Sequence, residues 1–312
     1  MRAFSAHPKV DPTTGEMFNF GIDYGRVTTL TTYRLHRGEL TRFAPLTLPY
    51  PVMNHDFVVT ENYLVFCLGP ILVHPLRMIL GLSRFDGALE WDGGKPTLIL
   101  VLPRNGIGAP RWIEAEPFFQ FHFANGFEED GALVLDLTRY PDFGVVGDAL
   151  RNFAVSDWQA EGMAALARLR VDLSTGKVDT HRFETGNANE FPRINPQRGG
   201  RRYRYAYIAD NPSGQRQGLQ QRVTRVDLET RQTDFHDFGP DGFPGEPLFI
   251  PSRAGGEEDE GVVVTMVFDA ASGRSQVVGL DARDLAAGPL FVARLKHHVP
   301  FSLHSTFAPA RA

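Results

Sequence analysis

The sequence of 312 residues holds a single cysteine, Cys67, so no internal disulfide can form and no Cys-x-x-Cys metal or redox pair exists. A reducing compartment is the expectation, and the chain is read as cytoplasmic. There is no run of about 18 apolar residues, and the opening MRAFSAHPKVDPTTGE lacks a basic-then-apolar pattern, so neither a membrane span nor an export signal is expected. Basic residues do not dominate: 32 Lys and Arg stand against 37 Asp and Glu, without a long basic run, which argues against a nucleic-acid partner. Tyr and Trp are scarce, 8 and 3 beside 24 Phe, so most rings carry no polar group to satisfy. That balance suits a packed core and leaves room for a long apolar cavity. Also missing are a phosphate-binding glycine loop, a Ser-His-Asp order and a pair of catalytic carboxylates. Gly106-Ile107-Gly108 is too short for a dinucleotide fingerprint and reads as a turn.

What is present points to strands. The 31 Gly and 22 Pro are spread along the chain, separating short runs rich in β-branched and aromatic residues: 57–66 (FVVTENYLVF), 97–102 (TLILVL), 132–137 (ALVLDL), 203–208 (YRYAYI) and 262–268 (VVVTMVF). Helical periodicity is confined to 157–169 (DWQAEGMAALARL), so little helix is expected. One phrase recurs, a strand ending at an Asp followed by a polar turn and a second strand. It reads KVDPTTGEMFNFG from Lys9, RVDLSTGKVDTHRF from Arg170, RVDLETRQTDFHDF from Arg225 and, more loosely, GLDARDLAAGPLFVARL from Gly279. Asp172, Asp227 and Asp281 are spaced 55 and 54 residues apart. Units of roughly 50 residues with several strands each are the signature of β-propeller blades.

Ten histidines are present, and histidines are mostly solvated or structural. Four stand beside turns or strand ends in apolar or aromatic surroundings, where an unpaired imidazole is costly to bury: His7 (SAHPKV), His55 (MNHDFVV), His122 (FQFHFANGF) and His304 (VPFSLHSTF). Spacings of 48, 67 and 182 residues are too wide for a local metal loop. Such a set can converge if similar units each present one residue toward a common axis, as propeller blades do.

These segments resemble the carotenoid cleavage oxygenases, a family that includes apocarotenoid-cleaving enzymes, lignostilbene dioxygenases and retinal pigment epithelium isomerohydrolases. The resemblance spans essentially the whole chain. It rests on AHPKVDPTTGE, HDFVVTENYLVF, FHFANGFEEDG, NEFPRINP, GEPLFIP, EDEGVVVTMVFD, LDARDLAAGP and VPFSLHSTF, which occur in the family's order. It implies an all-β, seven-bladed β-propeller, with residues 1–312 forming a single partial propeller domain. It also implies an Fe(II) held by His7, His55, His122 and His304. Four neutral imidazoles leave both charges of a ferrous ion uncompensated, so carboxylates are expected behind them, fixing their tautomers. The family's motifs place two such glutamates at Glu190 and Glu246. A third glutamate lies upstream of the first histidine in the family, and only six residues precede His7 here. The sequence therefore reads as N-terminally truncated. A second departure is Leu303 and Ser305, which flank His304 where the family commonly has glycine, and their bulk is expected to narrow the cavity near the metal.

The implied activity is a non-haem dioxygenase that cleaves a conjugated double bond of a carotenoid, apocarotenoid or stilbene with O2, giving two carbonyl products. Its partners are an apolar conjugated small molecule and O2, and no side-chain acid or base beyond the ligands is required. An isomerohydrolase of the same family and an inactive truncated remnant stay open as alternatives. The apolar segment 69–82 (GPILVHPLRMILGL) reads either as a peripheral membrane contact for substrate entry or as a buried connection. His297-His298 and the acidic run 257–260 read as solvated surface.

Overall fold

A computed structural model describes residues 3–84, 86–144, 164–212, 219–300 and 303–308. Among them are five antiparallel sheets of four or five strands, each taking its strands in chain order, and one two-stranded sheet, Ile71–Val73 with Leu89–Trp91. Sheet I comprises Lys9–Val10, Met17–Tyr24, Thr28–His36 and Glu39–Arg42, with Leu46–Thr47 also pairing to the third of these. Sheet II holds Val58–Val59, Tyr63–Leu68, Thr97–Pro103 and Arg111–Ala115, and sheet III holds Phe119–Glu129, Ala132–Tyr140, Ala165–Asp172 and Val178–Arg182. Sheet IV runs through Asn187–Arg193, Tyr205–Asn211, Arg222–Asp227 and Thr233–Asp237. In sheet V, Gly242–Pro244 and Leu248–Pro251 both pair with Gly261–Asp269, followed by Arg274–Asp281 and Pro289–Arg294. This succession of meanders is the β-propeller arrangement expected from the repeat.

The sheets pack face to face in chain order because their central strands are apolar on both sides. Along Tyr63–Leu68, Val65 and Cys67 join Leu133, Leu135 and Leu169 of sheet III, whereas Leu64, Phe66 and Leu68 join Phe18, Phe20 and Leu30 of sheet I. Val134 and Leu166 of sheet III meet Ile208 and Val226 of sheet IV, and Val223 of sheet IV meets Val263, Val278 and Leu280 of sheet V. Strand alternation thus supplies two cores per sheet, which is why the sequence runs are almost uninterruptedly hydrophobic.

The recurrent aspartates cap hairpins. Asp172 Oδ1 accepts the Ser174 and Thr175 N–H groups, both at 2.8 Å, and Asp227 Oδ1 accepts those of Glu229 and Thr230 at 3.0 and 3.1 Å. Both turns join the third and fourth strands of their sheets, and the looser turn at Asp281 likewise joins the last two strands of sheet V. In sheet I the same phrase, at Asp11, joins the first and second strands instead. Position five of the turn takes a left-handed conformation, which suits Gly176 (φ 74°) and is imposed on Arg231 (φ 63°).

Two expectations need correction. Residues 164–169 of the helix candidate are extended, lying mostly within Ala165–Asp172, while 157–163 fall outside the described residues. Ala and Leu are good helix formers, but propensity yields to tertiary pairing, and here two flanking strands with Asp136 bonded to Arg168 decide the matter. The acidic run 257–260 is not a freely solvated face. Glu258 accepts the backbone N–H groups of Arg204 and Tyr205 at 2.6 and 2.8 Å and Asp259 pairs with Arg225 at 2.8 Å, tying sheet IV to sheet V, while Glu260 pairs with Arg253 at 3.1 Å across a turn of sheet V itself. His297 and His298 are exposed, and Gly106-Ile107-Gly108 follows a turn that leaves Thr97–Pro103, both as expected. The segment 69–82 divides. Ile71–Val73 is a mostly buried strand paired with Leu89–Trp91, whereas Leu76, Leu80 and Leu82, in and after the short helix Pro75–Ile79, are 66–73% exposed. No helix among the described residues is long and apolar enough to cross a membrane.

Candidate metal centre

Sheets I to IV each bring chemistry to a shared centre at or just before their first strand. His7 precedes Lys9–Val10, His55 precedes Val58–Val59, and His122 lies within Phe119–Glu129. His304 comes from the chain that follows the last strand of sheet V. One ligand atom from each of the four lies within 4.8 Å of the others. Two nitrogens bound at about 2.1 Å to one ion stand at most about 4.2 Å apart, so the set is only slightly wider than a single ion would hold.

The imidazoles suit a cation. Burial drives the His7 ring down to about 3 and the His55 ring down to about 4, helped by the neighbouring rings, so both are neutral at ordinary pH. His7 Nε2 faces His55 Nε2 at 2.8 Å, a pair that satisfies itself only if one of them carries the proton. His122 Nε2 is buried with no partner, an orphan nitrogen aimed at the same place. The four residues therefore fit a metal ion.

Behind the rings stand carboxylates. His122 Nδ1 meets Glu190 Oε2 at 2.6 Å, and Glu190 also accepts the Phe191 N–H at 3.0 Å and the Tyr140 hydroxyl. Burial alone would raise the Glu190 carboxyl, but the His122 ring and these donors hold it below its ordinary value. Tyr140 is pushed well above its usual range by burial and by Glu190, so it remains a donor. His304 Nδ1 lies 3.3 Å from Glu246 Oε1, and Glu246 Oε2 accepts the Ser305 N–H at 2.6 Å. Against the penalty of burial, His304 and Arg193 hold Glu246 down to about 2. Glu190 thus stands beside His122, and Glu246 beside His304.

Arg193, Asp56 and the bulges of two strands went unread in the sequence. Arg193 Nε lies 2.8 Å from Glu246 Oε1 and its Nη2 donates to Ser305 O at 2.9 Å, pinning the segment that carries His304. Leu303 is largely exposed, so its side chain does not crowd the rings as its bulk suggested. Asp56, next to His55, is almost fully buried with its carboxylate 4.0 Å from His7 Nδ1. Finally, bulges aim the site. The pairing of Phe119–Glu129 slips on either side of Phe123, and that of Asn187–Arg193 slips on either side of Glu190, where Ala188 and Phe191 both adopt φ 52°. As a result Phe121 and His122 both reach the site, with Phe121 5.4 Å from the His55 ring and Phe191 5.4 Å from the His122 ring. The Asn-Glu-Phe-Pro motif was the available signal for Phe191, whereas a bulge leaves no pattern of its own.

Comparisons with known proteins fit this geometry. The family model described as retinal pigment epithelial membrane protein matches residues 1–309. The apocarotenoid-15,15'-oxygenase of Synechocystis sp. is 32% identical over 311 residues, covering 97% of this chain and 63% of that protein. The carotenoid 9,10(9',10')-cleavage dioxygenase 1 of Pisum sativum is also 32% identical, with 97% and 58% covered. The chromoplastic zeaxanthin 7,8(7',8')-cleavage dioxygenase of Crocus sativus is 30% identical, with 98% and 82% covered. Among solved structures, cobalt-substituted Synechocystis apocarotenoid oxygenase superposes with a TM-score of 0.90 at 31% identity, covering 99% of this chain and 65% of that one. The chain therefore spans somewhat under two thirds of the length of the first two relatives.

Proposed function

The chain belongs to the retinal pigment epithelial membrane protein family of carotenoid cleavage oxygenases, and from that membership we propose a non-haem Fe(II) dioxygenase that cleaves a conjugated double bond of a carotenoid or apocarotenoid. The observation that carries the reading is the convergence of four imidazoles from four separate segments, with the His7 and His55 rings neutral and one orphan nitrogen on His122. His7, His55, His122 and His304 would hold the ion, with Glu190 and Glu246 accepting from the outer nitrogens of His122 and His304. All-imidazole ligation suits ferrous iron, and two carboxylates match its two charges.

When bound, iron supplies the redox chemistry by which both atoms of O2 enter the products. One carbon–carbon double bond and one O2 give two carbonyl groups, so the balance needs no protons and no side-chain acid or base. The chain's own residues do the rest. Glu190 and Glu246 keep the rings of His122 and His304 presenting Nε2, and Tyr140 keeps Glu190 oriented. Phe121 and Phe191, half-buried beside the histidines, offer ring faces against which a conjugated apolar chain packs and from which water is excluded. Leu76, Leu80 and Leu82 add an exposed apolar patch suited to a lipid bilayer, from which such a substrate would be drawn.

The test is product analysis under 18O2 with an apocarotenal as substrate, using the chain reconstituted anaerobically with Fe(II). Two carbonyl products, each carrying label, are expected. Intact substrate, or an isomerised or hydrolysed product without label, contradicts the reading; the last would favour isomerohydrolase chemistry.

A further inference from the structure

Asp56 follows His55 in the sequence, yet its buried carboxylate serves the other histidines. Oδ1 accepts the N–H of Phe57 at 2.8 Å and lies 2.7 Å from Lys9 Nζ, two residues beyond His7. Oδ2 accepts the N–H of Phe123, the residue after His122, at 2.9 Å. His7 Nδ1 stands 4.0 Å from Oδ1. The segments that carry His7, His55 and His122 therefore end on one carboxylate that is 1% exposed. A buried carboxylate bonded on both oxygens is rigid, because releasing any partner leaves charge or a polar group unsatisfied.

The arrangement parallels the other two acids. Glu190 stands behind His122 and also takes the Phe191 N–H, and Glu246 stands behind His304 and also takes the Ser305 N–H. Asp56 stands behind His7 and takes the Phe57 and Phe123 N–H groups. Only in its case does a lysine occupy the near oxygen, and the ring sits just beyond hydrogen-bonding distance.

We propose that Asp56 is a positioning residue of the metal centre, strapping the three histidine-bearing segments together and presenting the carboxylate on the outer side of His7, with Lys9 holding it in place. This rests on the metal reading above and adds a third acid to it.

The experiment is an anaerobic Co(II) titration, read by visible absorption, on the wild-type chain and the variants D56N, K9M, D56N/K9M and E190Q. Thermal unfolding of each metal-free protein is measured in parallel. D56N keeps an acceptor oxygen but strands the Lys9 ammonium, so its unfolding temperature falls; adding K9M removes that ammonium and recovers much of the loss. Cobalt affinity is expected to stay weakened by about tenfold to a hundredfold in both D56N and the double variant, with an altered cobalt spectrum. Should D56N not fold, the double variant gives the answer. Wild-type affinity and spectrum in the double variant would mean that Asp56 merely neutralises Lys9, and would overturn the proposal. If E190Q weakens binding while D56N does not, the metal reading stands and the role of Asp56 falls. A wild-type chain that takes up no cobalt overturns the metal reading, and the role of Asp56 with it.

Discussion

Glu190 reaches His122 across the joint between sheets III and IV, Oε2 to Nδ1 at 2.6 Å, and leaves His122 Nε2 as the buried nitrogen without a partner. Two strands, each bulged twice, are needed to make that contact. It fixes which nitrogen of His122 is available to a cation, because an Nδ1–H donated to a carboxylate leaves Nε2 with its lone pair.

Glu190→Gln and Glu246→Gln are therefore expected to weaken Fe(II) or Co(II) affinity by about tenfold to a hundredfold each, with the fold retained. Equilibrium metal titration checks this, and unchanged affinity in both variants would remove the carboxylates from the account. Glu246→Gln also loses its ion pair with Arg193, so it is expected to loosen the segment around Ser305.

The metal-free protein should lose stability on mild acidification. His7 and His55 titrate near 3 and 4 when folded, against about 6.5 when exposed. Between those values the unfolded chain binds more protons, so stability rises with pH through about 4 to 6.5 and falls as pH drops through the same window. Glu246 and Asp56, both held near 2, act in the same direction at lower pH, their contribution fading as pH falls from the ordinary carboxylate range toward 2. Unfolding temperatures at pH 7.5, 5.5 and 4.5 should decline in that order; equal values would contradict the neutral, buried state of the rings.

Gly186 sits just before the strand that carries Glu190, and a Cβ there would come within 2.0 Å of Asn211 O and 2.3 Å of Arg222 Nη2. Backbone cannot yield as a side-chain tip can. Gly186→Ala is expected to cost about 2 kcal/mol or more, visible in denaturant unfolding, and to weaken metal binding by shifting Glu190. Wild-type stability would show that the strand tolerates displacement.

Leu76, Leu80 and Leu82 give the membrane reading its own check. Replacing all three by Ser should abolish cosedimentation with phosphatidylcholine vesicles while leaving metal uptake intact. Equal binding by the variant and the wild type, or none by either, would contradict a bilayer contact through this patch.

Much of this was legible in the sequence because it is carried by residue type. The four histidines and the two glutamates stand out by their motifs, and the blade repeat shows in aspartates that a hairpin turn requires. What stayed hidden depends on pairing. Asp56 looks like an ordinary acid after a histidine until Phe123 and Lys9 arrive from distant segments. Arg193 looks like a surface cation until Glu246 faces it. The Ala- and Leu-rich stretch near 165 carries helical propensity, and only its neighbours in sheet III make it a strand. The acidic run 257–260 becomes an inter-sheet tie because Arg225 and two backbone N–H groups of sheet IV meet it.

The most direct test of the account is the iron content of the chain after anaerobic reconstitution and removal of free metal, measured beside His122→Ala. About one iron per wild-type chain and almost none in the variant are expected, since removing one of four ligands from a buried site should abolish retention. Iron absent from the wild type, or held equally by both, would contradict a metal centre built from His7, His55, His122 and His304.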